Sequence, residues 1–259
     1  MIERWSFSRL STYEQCPKRA QLAYAEYLPE IRRPDGNKAA DRGTRIHDLS
    51  EKYVKREIDT MAPEMMNFEK EFDHARAVPR ENLVAEHKWY FDRDWNPTTN
   101  PDDRWLTVII DLLIWINQTE SVCVDYKTGK RYGNEIKHGQ QIQLYQLATL
   151  VRFPETEFIS TEVWYLDQDE IAQQQYSRDQ GMRFMKGFDK RGKKMTNDVK
   201  FEAKPSQYSC RFCPYRTGAN KWVCGTGDCT LNPPDNTEIP AKEYQVLLSK
   251  LEKTITNKK

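Results

Sequence analysis

Asp125 and Lys127 stand two positions apart in SVCVDYKTG, and Gln141 and Tyr145 follow four apart in HGQQIQLYQLA. Side chains two apart on a strand share one face, so a carboxylate and an ammonium would project together. An amide and a phenol four apart share one face of a helix. A second carboxylate, Asp111, lies in RWLTVIIDLLIWI. If the strands flanking NQT form an antiparallel hairpin centred near Gln118, Asp111 falls directly opposite Asp125. Their Cβ atoms would then be roughly 4.5–5.5 Å apart. Like charges so opposed destabilise a sheet unless something compensates. Lys127 can neutralise one carboxylate, and a divalent cation with oxygen ligands compensates better. A solvated outer face would explain the pair more blandly, but Asp111 is embedded among aliphatic and aromatic neighbours.

The elements that must position these groups follow from periodicity. SFSRLSTYEQCPKRAQLAYAEYL reads as a helix capped by Ser8, with Leu10, Tyr13, Cys16 and Ala20 along one stripe and Pro17 as a kink or an early stop. AADRGTRIHDLSEKYVKREI and MAPEMMNFEKEFDHARAV read as two further helices, and IRRPDGNK as a loop. NLVAEHKWYF is a first strand and NPTTNPDD a turn-rich loop. In the second strand Leu106, Val108, Ile110, Leu112, Ile114 and Ile116 supply a core face, and the alternate face is open to chemistry. SVCVDYKTG is the third strand, residues 140–151 a helix, TEVWYLDQ a fourth strand and SRDQGMRFMKGFDKRG a helix. AKEYQVLLSKLEKTI closes the chain as an amphipathic helix.

Composition sets bounds. The 259 residues carry a net charge of +1 with 31% charged residues, and mean hydropathy is -0.87. No run approaches the roughly 20 apolar residues of a membrane span. MIERWSFSRL lacks the apolar run of a secretory signal, so a cytoplasmic setting and no membrane partner are expected. Any nucleic-acid contact must come from local basic clusters such as KRAQ, KTGKR and DKRGKK rather than from overall charge. Six cysteines in a reducing compartment argue against a disulfide framework. Cys210, Cys213, Cys224 and Cys229 crowd into a pattern with metal-site spacing, whereas Cys123 reads as a packing residue inside an apolar strand.

Asp111, then VDYKTGK with Asp125 and Lys127, then Gln141 and Tyr145 together resemble the PD-(D/E)XK nuclease superfamily in its RecB-type branch. GTRIHDL with His47 resembles the branch's upstream histidine motif, and SFSRLSTYEQCP its usual opening. The chain departs from the usual pattern in carrying Asp125 where many relatives have Glu, and Ile109 where a glycine is common. The resemblance implies a restriction-endonuclease-like α/β core, a mixed sheet flanked by helices over 1–204. A cysteine-rich metal module and terminal helix over 205–259 would pack on it. It further implies a metal-dependent deoxyribonuclease, an exonuclease or end-processing enzyme acting on DNA. A protein of recombination, replication or CRISPR adaptation would be its partner.

In that family setting His47, Asp111, Asp125 and the Tyr126 carbonyl would hold Mg2+ or Mn2+, Lys127 would serve the attacking water, and Gln141 and Tyr145 would contact the DNA backbone. From spacing alone His47 and Tyr145 read as structural, and Glu86 as either a supporting carboxylate or a surface residue. The iron–sulfur members of the branch set one cysteine before the core and three after it. By that resemblance Cys16, Cys210, Cys213 and Cys224 would hold a [4Fe-4S] cluster, with Cys229 an alternative to Cys224. Four cysteines from 210 to 229 holding Zn2+ in a non-catalytic DNA-binding protein is the competing reading.

Overall fold

The computed structural model describes residues 1–28, 30, 38–206, 209–210 and 213–215. Its contacts divide the chain into two units, Met1–Asn37 with Arg191–Lys259, and Lys38–Lys190.

In the first unit the opening helix is two. α1 (Phe7–Gln15) is capped by Ser6, whose hydroxyl accepts the Arg9 N–H at 3.4 Å, so the cap is not Ser8. Cys16 is extended (φ -158), and Pro17 opens α2 (Pro17–Tyr24) at a position whose N–H would be unpaired in any helix. Proline therefore ends one helix and begins the next rather than kinking a single one. Leu22, Leu28 and Tyr215 form a small core, and the Tyr215 hydroxyl donates to the Leu28 carbonyl at 3.1 Å. Tyr13 donates to Asp198 at 2.7 Å, and Arg191 pairs with Glu14 at 2.7 Å. Arg191, Asp198 and Tyr215 are thus tied to residues 7–28.

The second unit is built on a six-stranded mixed sheet. α3 (Lys38–Val54), a 3-10 turn (Pro63–Phe68) and α4 (Glu69–Ala77) precede it. The strands are β1 (Leu83–Phe91), β2 (Pro97–Thr98), β3 (Leu106–Trp115), β4 (Glu120–Lys127), β5 (Phe158–Tyr165) and β6 (Glu170–Ser177), in the order β2-β1-β3-β4-β5-β6. Every pairing is antiparallel except β4–β5. A parallel pair needs a crossover, and α5 (Glu135–Arg152) supplies it. Leu112, Ile114, Val124, Tyr126 and Trp164 pack with Ile46, Tyr53, Phe68 and Phe72 in one core cluster. Since side chains alternate, Cys123 and Asp125 look the other way, toward α5. The expected mixed sheet flanked by helices is what forms, consistent with a restriction-endonuclease-like α/β fold.

Some expectations change. Ile116 is not core: it lies past the end of β3 and is 58% exposed. The turn-rich NPTTNPDD contains the two-residue β2. β6 has no place in the sequence reading because EIAQQQYS is a largely exposed edge strand, which needs no apolar alternation. α5 begins at Glu135, five residues early, because its first turn is polar. The single helix read after it is α6 (Arg178–Met182), opened by a Ser177–Gln180 capping box, followed by α7 (Met185–Thr196). The closing amphipathic helix, and Cys224 and Cys229, lie outside the described residues. Among the described residues no helix is long and apolar enough to cross a membrane.

Candidate active site

The sheet's backbone pairing is interrupted on both sides of Asp111. The β1–β3 ladder holds one register from Leu83–Ile114 to Phe91–Leu106, yet the rung Glu86–Asp111 is missing. The β3–β4 ladder runs from Trp115–Ser121 to Leu112–Val124, the hairpin register centred on Gln118, and stops one pair before Asp111–Asp125. There the Tyr126 N–H donates to Asp111 Oδ2 at 3.1 Å, and β4 keeps its other edge on β5 through Lys127–Tyr165. The sheet opens between β3 and the end of β4, and the carboxylates sit in the opening.

Glu86 accounts for the other gap. Its φ is +46, a left-handed conformation that costs a non-glycine residue roughly 1–3 kcal/mol. The strand changes face across it. Ala85 belongs to the cluster around Ile46 and Phe72, whereas Trp89 packs edge-on against Phe153 at the end of α5, ring centres 5.6 Å apart. Residues four apart in a regular strand would share a face. The reversal brings Glu86 Oε1 to 2.8 Å from His47 Nδ1. His47 Nε2 is 3.2 Å from the Tyr126 carbonyl oxygen, and Nδ1 is 3.6 Å from Asp111 Oδ2. The Tyr126 carbonyl, expected as a metal ligand, here faces His47. His47, Glu86 and Asp111 each offer a ligand atom, all within 4.8 Å of one another.

Asp125 is fully buried with Lys127 against it, Nζ lying 2.7 Å from Oδ1 and 2.6 Å from Oδ2. Only the first contact has hydrogen-bond geometry, so Oδ2 has charge beside it but accepts no hydrogen bond. Burial pushes the Asp125 carboxyl up to about 6, with Lys127 pulling it down and Asp111 pushing it further up. Burial likewise raises Asp111, against the pull of His47 and Lys127. The Lys127 ammonium is opposed by burial, but Asp125 and Asp111 outweigh this and hold it above its ordinary value. Burial also opposes the His47 imidazolium, and the Glu86 hydrogen bond and the Asp111 charge overcome it, lifting the group to about 9.

Three carboxylates therefore share a confined space with two cationic groups. A divalent cation fits this donor set: hard oxygen ligands with one imidazole, an orphaned carboxylate oxygen, and acids whose raised values a positive charge would relieve.

On α5 the Gln141 amide donates to the Tyr145 hydroxyl at 2.7 Å, so the helix does align them. Tyr145 is buried, and burial, with the fields of Asp111 and Asp125, keeps its phenol protonated. His138, which sequence reasoning passed over, lies one turn earlier with Nδ1 3.2 Å from the Tyr165 hydroxyl. Burial and the Lys127 charge hold it down at about 4, so it is neutral. Cys123 is fully buried, as a packing residue should be.

In the first unit Cys16, Cys210 and Cys213 are half-buried and form no disulfide. Cys16 Sγ lies 3.5 Å from the Lys204 backbone N–H, six residues ahead of Cys210.

Glu86 is the site residue that sequence reading left undecided. Strand parity cannot foresee a face reversal, and a lone Glu in an apolar strand was the one available signal.

Among solved structures, one titled "Crystal structure of SSO0001" is similar at 14% identity and a TM-score of 0.42, covering 82% of this chain and 83% of that one. No curated protein matches the sequence. The family model described as the PD-(D/E)XK nuclease superfamily matches residues 4–218, which include β1 to β6 and both carboxylates of the opened sheet. Members of that superfamily are metal-dependent hydrolytic nucleases, and this chain belongs to it.

Proposed function

We propose that the chain is a Mg2+- or Mn2+-dependent deoxyribonuclease that works as an exonuclease or end-processing enzyme in recombination, replication or repair. The observation that carries the reading is the opened sheet, where buried Asp111 and Asp125 meet Lys127 and the His47–Glu86 pair. His47, Glu86, Asp111 and Asp125 would hold the metal, with Glu86 joining the set read from sequence and the Tyr126 carbonyl, which faces His47, leaving it. A bound divalent cation supplies Lewis acidity at the phosphate and acidifies a water.

The side chains do the rest. The Lys127 ammonium, kept charged by its carboxylates, orients the attacking water and offsets charge developing on the phosphate oxygens. Tyr145, a phenol already accepting from Gln141, retains its own proton to donate toward the DNA backbone. Neutral His138 and Tyr165 bound the lysine side of the site. End-labelled single- and double-stranded DNA incubated with Mg2+ or Mn2+ tests the reading, with Lys127→Ala as the control. The parent protein should shorten the DNA progressively from an end. Equal cleavage by the variant, or no cleavage of either form by the parent, would remove the assignment.

We propose further that Cys16, Cys210 and Cys213, with Cys224 or Cys229, hold a [4Fe-4S] cluster. Three cysteines outside any disulfide in one unit support this, as does the Lys204 N–H at Cys16, since such donors commonly tune cluster sulfurs. Protein purified without oxygen should be brown and contain iron and sulfide, and Cys16→Ala should lose both. Colourless protein with one zinc per chain that ignores Cys16 would show a four-cysteine zinc site instead.

A further inference from the structure

The connection from β4 to α5, residues 128–134, is pinned at both ends, yet its aromatic side chain is left in solvent. Gly129 (φ +92) and Gly133 (φ +87) supply left-handed turns. The Gly129 N–H donates to Asp167 Oδ2 at 2.7 Å, and Arg42 grips the same carboxylate with two hydrogen bonds of 2.7 and 2.8 Å. At the far end the Gly133 N–H donates to Glu135 at 2.7 Å. The Asn134 backbone N–H donates to the Arg131 carbonyl at 3.0 Å, and its side chain to the Lys130 carbonyl at 3.1 Å.

Arg131 turns inward, pairing with Glu170 and lying 5.4 Å over the Tyr165 ring. Tyr165 is the register partner of Lys127, so the connection runs beside the lysine end of the site.

Tyr132, between these fixed points, is 73% exposed, and Ile136 four residues on is 79% exposed. Lys130 and Lys137 flank them and are exposed as well. The hydrogen bonds fix the connection without burying its largest side chain. An outward ring with lysines around it offers what a single strand binds: a flat surface for a base and cations for its phosphates.

We propose that Tyr132 stacks on an unpaired base as the strand enters the site, so that the enzyme takes single-stranded DNA or frayed ends. This rests on the nuclease reading above and adds the substrate class to it. Within a duplex both faces of a base are already covered by its neighbours, so the ring has a partner only where pairing and stacking are broken. Ile136 would extend the apolar surface, and Lys130 and Lys137 would meet the flanking phosphates.

The test measures binding of the full chain in a cleavage-dead Asp111→Asn background, using an oligodeoxynucleotide with 2-aminopurine near its end and a relaxed, covalently closed circular duplex. Tyr132→Ala should weaken single-strand binding about tenfold and abolish quenching of the 2-aminopurine, in line with the contribution of base–aromatic stacking. Tyr132→Trp should retain both, and duplex affinity should not change. Unchanged single-strand affinity in Tyr132→Ala, or an equal loss on both DNA forms, would overturn the proposal while leaving the nuclease reading in place. If neither DNA form binds before Tyr132 is altered, the nuclease reading itself fails.

Discussion

Asp111→Asn should abolish DNA cleavage, by at least about a hundredfold, while the metal-free protein melts no lower than the parent. The two outcomes have one cause. Asn retains an oxygen to accept the Tyr126 N–H, which Asp111 binds at 3.1 Å, so the opened β3–β4 edge keeps its hydrogen bond. His47 keeps Glu86 and Lys127 keeps Asp125, so no cation is left buried without a carboxylate. What disappears is one negative charge from a site where burial already raises both acids.

The linkage has a definite sign. Asp125 is held up at about 6, so from the ordinary carboxylate range to about pH 6 the folded chain keeps a proton that the unfolded chain has released. Stability therefore falls as pH rises through that window. His47, lifted to about 9, adds stability that is complete below its ordinary value and lost as pH rises through about 9. Neutral His138, held at about 4, has the opposite sign and adds stability as pH rises from about 4 to 6.5, offsetting the Asp125 loss. The metal-free parent should thus melt progressively lower from about pH 6.5 to 9, and added Mn2+ should flatten the decline. In Asp111→Asn the Asp125 loss should be smaller, so the variant should gain on the parent from about pH 4 to 6, and the Mn2+ response should be lost. Calorimetry with and without chelator measures both. A variant that melts well below the parent at every pH would make Asp111 a structural residue, its loss of cleavage a consequence of misfolding.

The hairpin register was legible because both strands are apolar enough to show their period, and the turn at Gln118 then fixes Asp111 against Asp125. That Gln141 and Tyr145 share one helix face was legible from spacing, whereas a role for them in the site came only with the family resemblance. Three features were not legible. β6 is an exposed edge strand, so its residues satisfy hydrogen bonding without an alternating pattern. The break at Cys16 depends on whether Pro17 kinks a helix or starts one, which is decided by how each segment packs. Glu86 required knowing that a strand reverses its face, and its neighbours in sequence carry no glycine to announce a positive φ.

The Glu86 backbone makes the second large effect separable from the first. Glu86→Gly and Glu86→Ala both remove the carboxylate that holds His47 Nδ1 at 2.8 Å, so both should weaken Mn2+ binding by at least about 10–100-fold. They should differ in stability, and in the unusual direction. In an ordinary strand glycine is less stable than alanine by roughly 0.5–1 kcal/mol. At φ +46 alanine retains the left-handed strain and glycine does not, an advantage for glycine of roughly 1–2 kcal/mol. Less glycine's ordinary cost, the net advantage is about 1 kcal/mol, so glycine should melt higher than alanine at this position by about 2–4 °C for a domain of this size. At neighbouring His87, on the same strand, the order should be the normal one. If alanine proves the more stable at 86, the residue is not held left-handed in solution. The strand then keeps its face, and the route that carries Glu86 to His47 is lost.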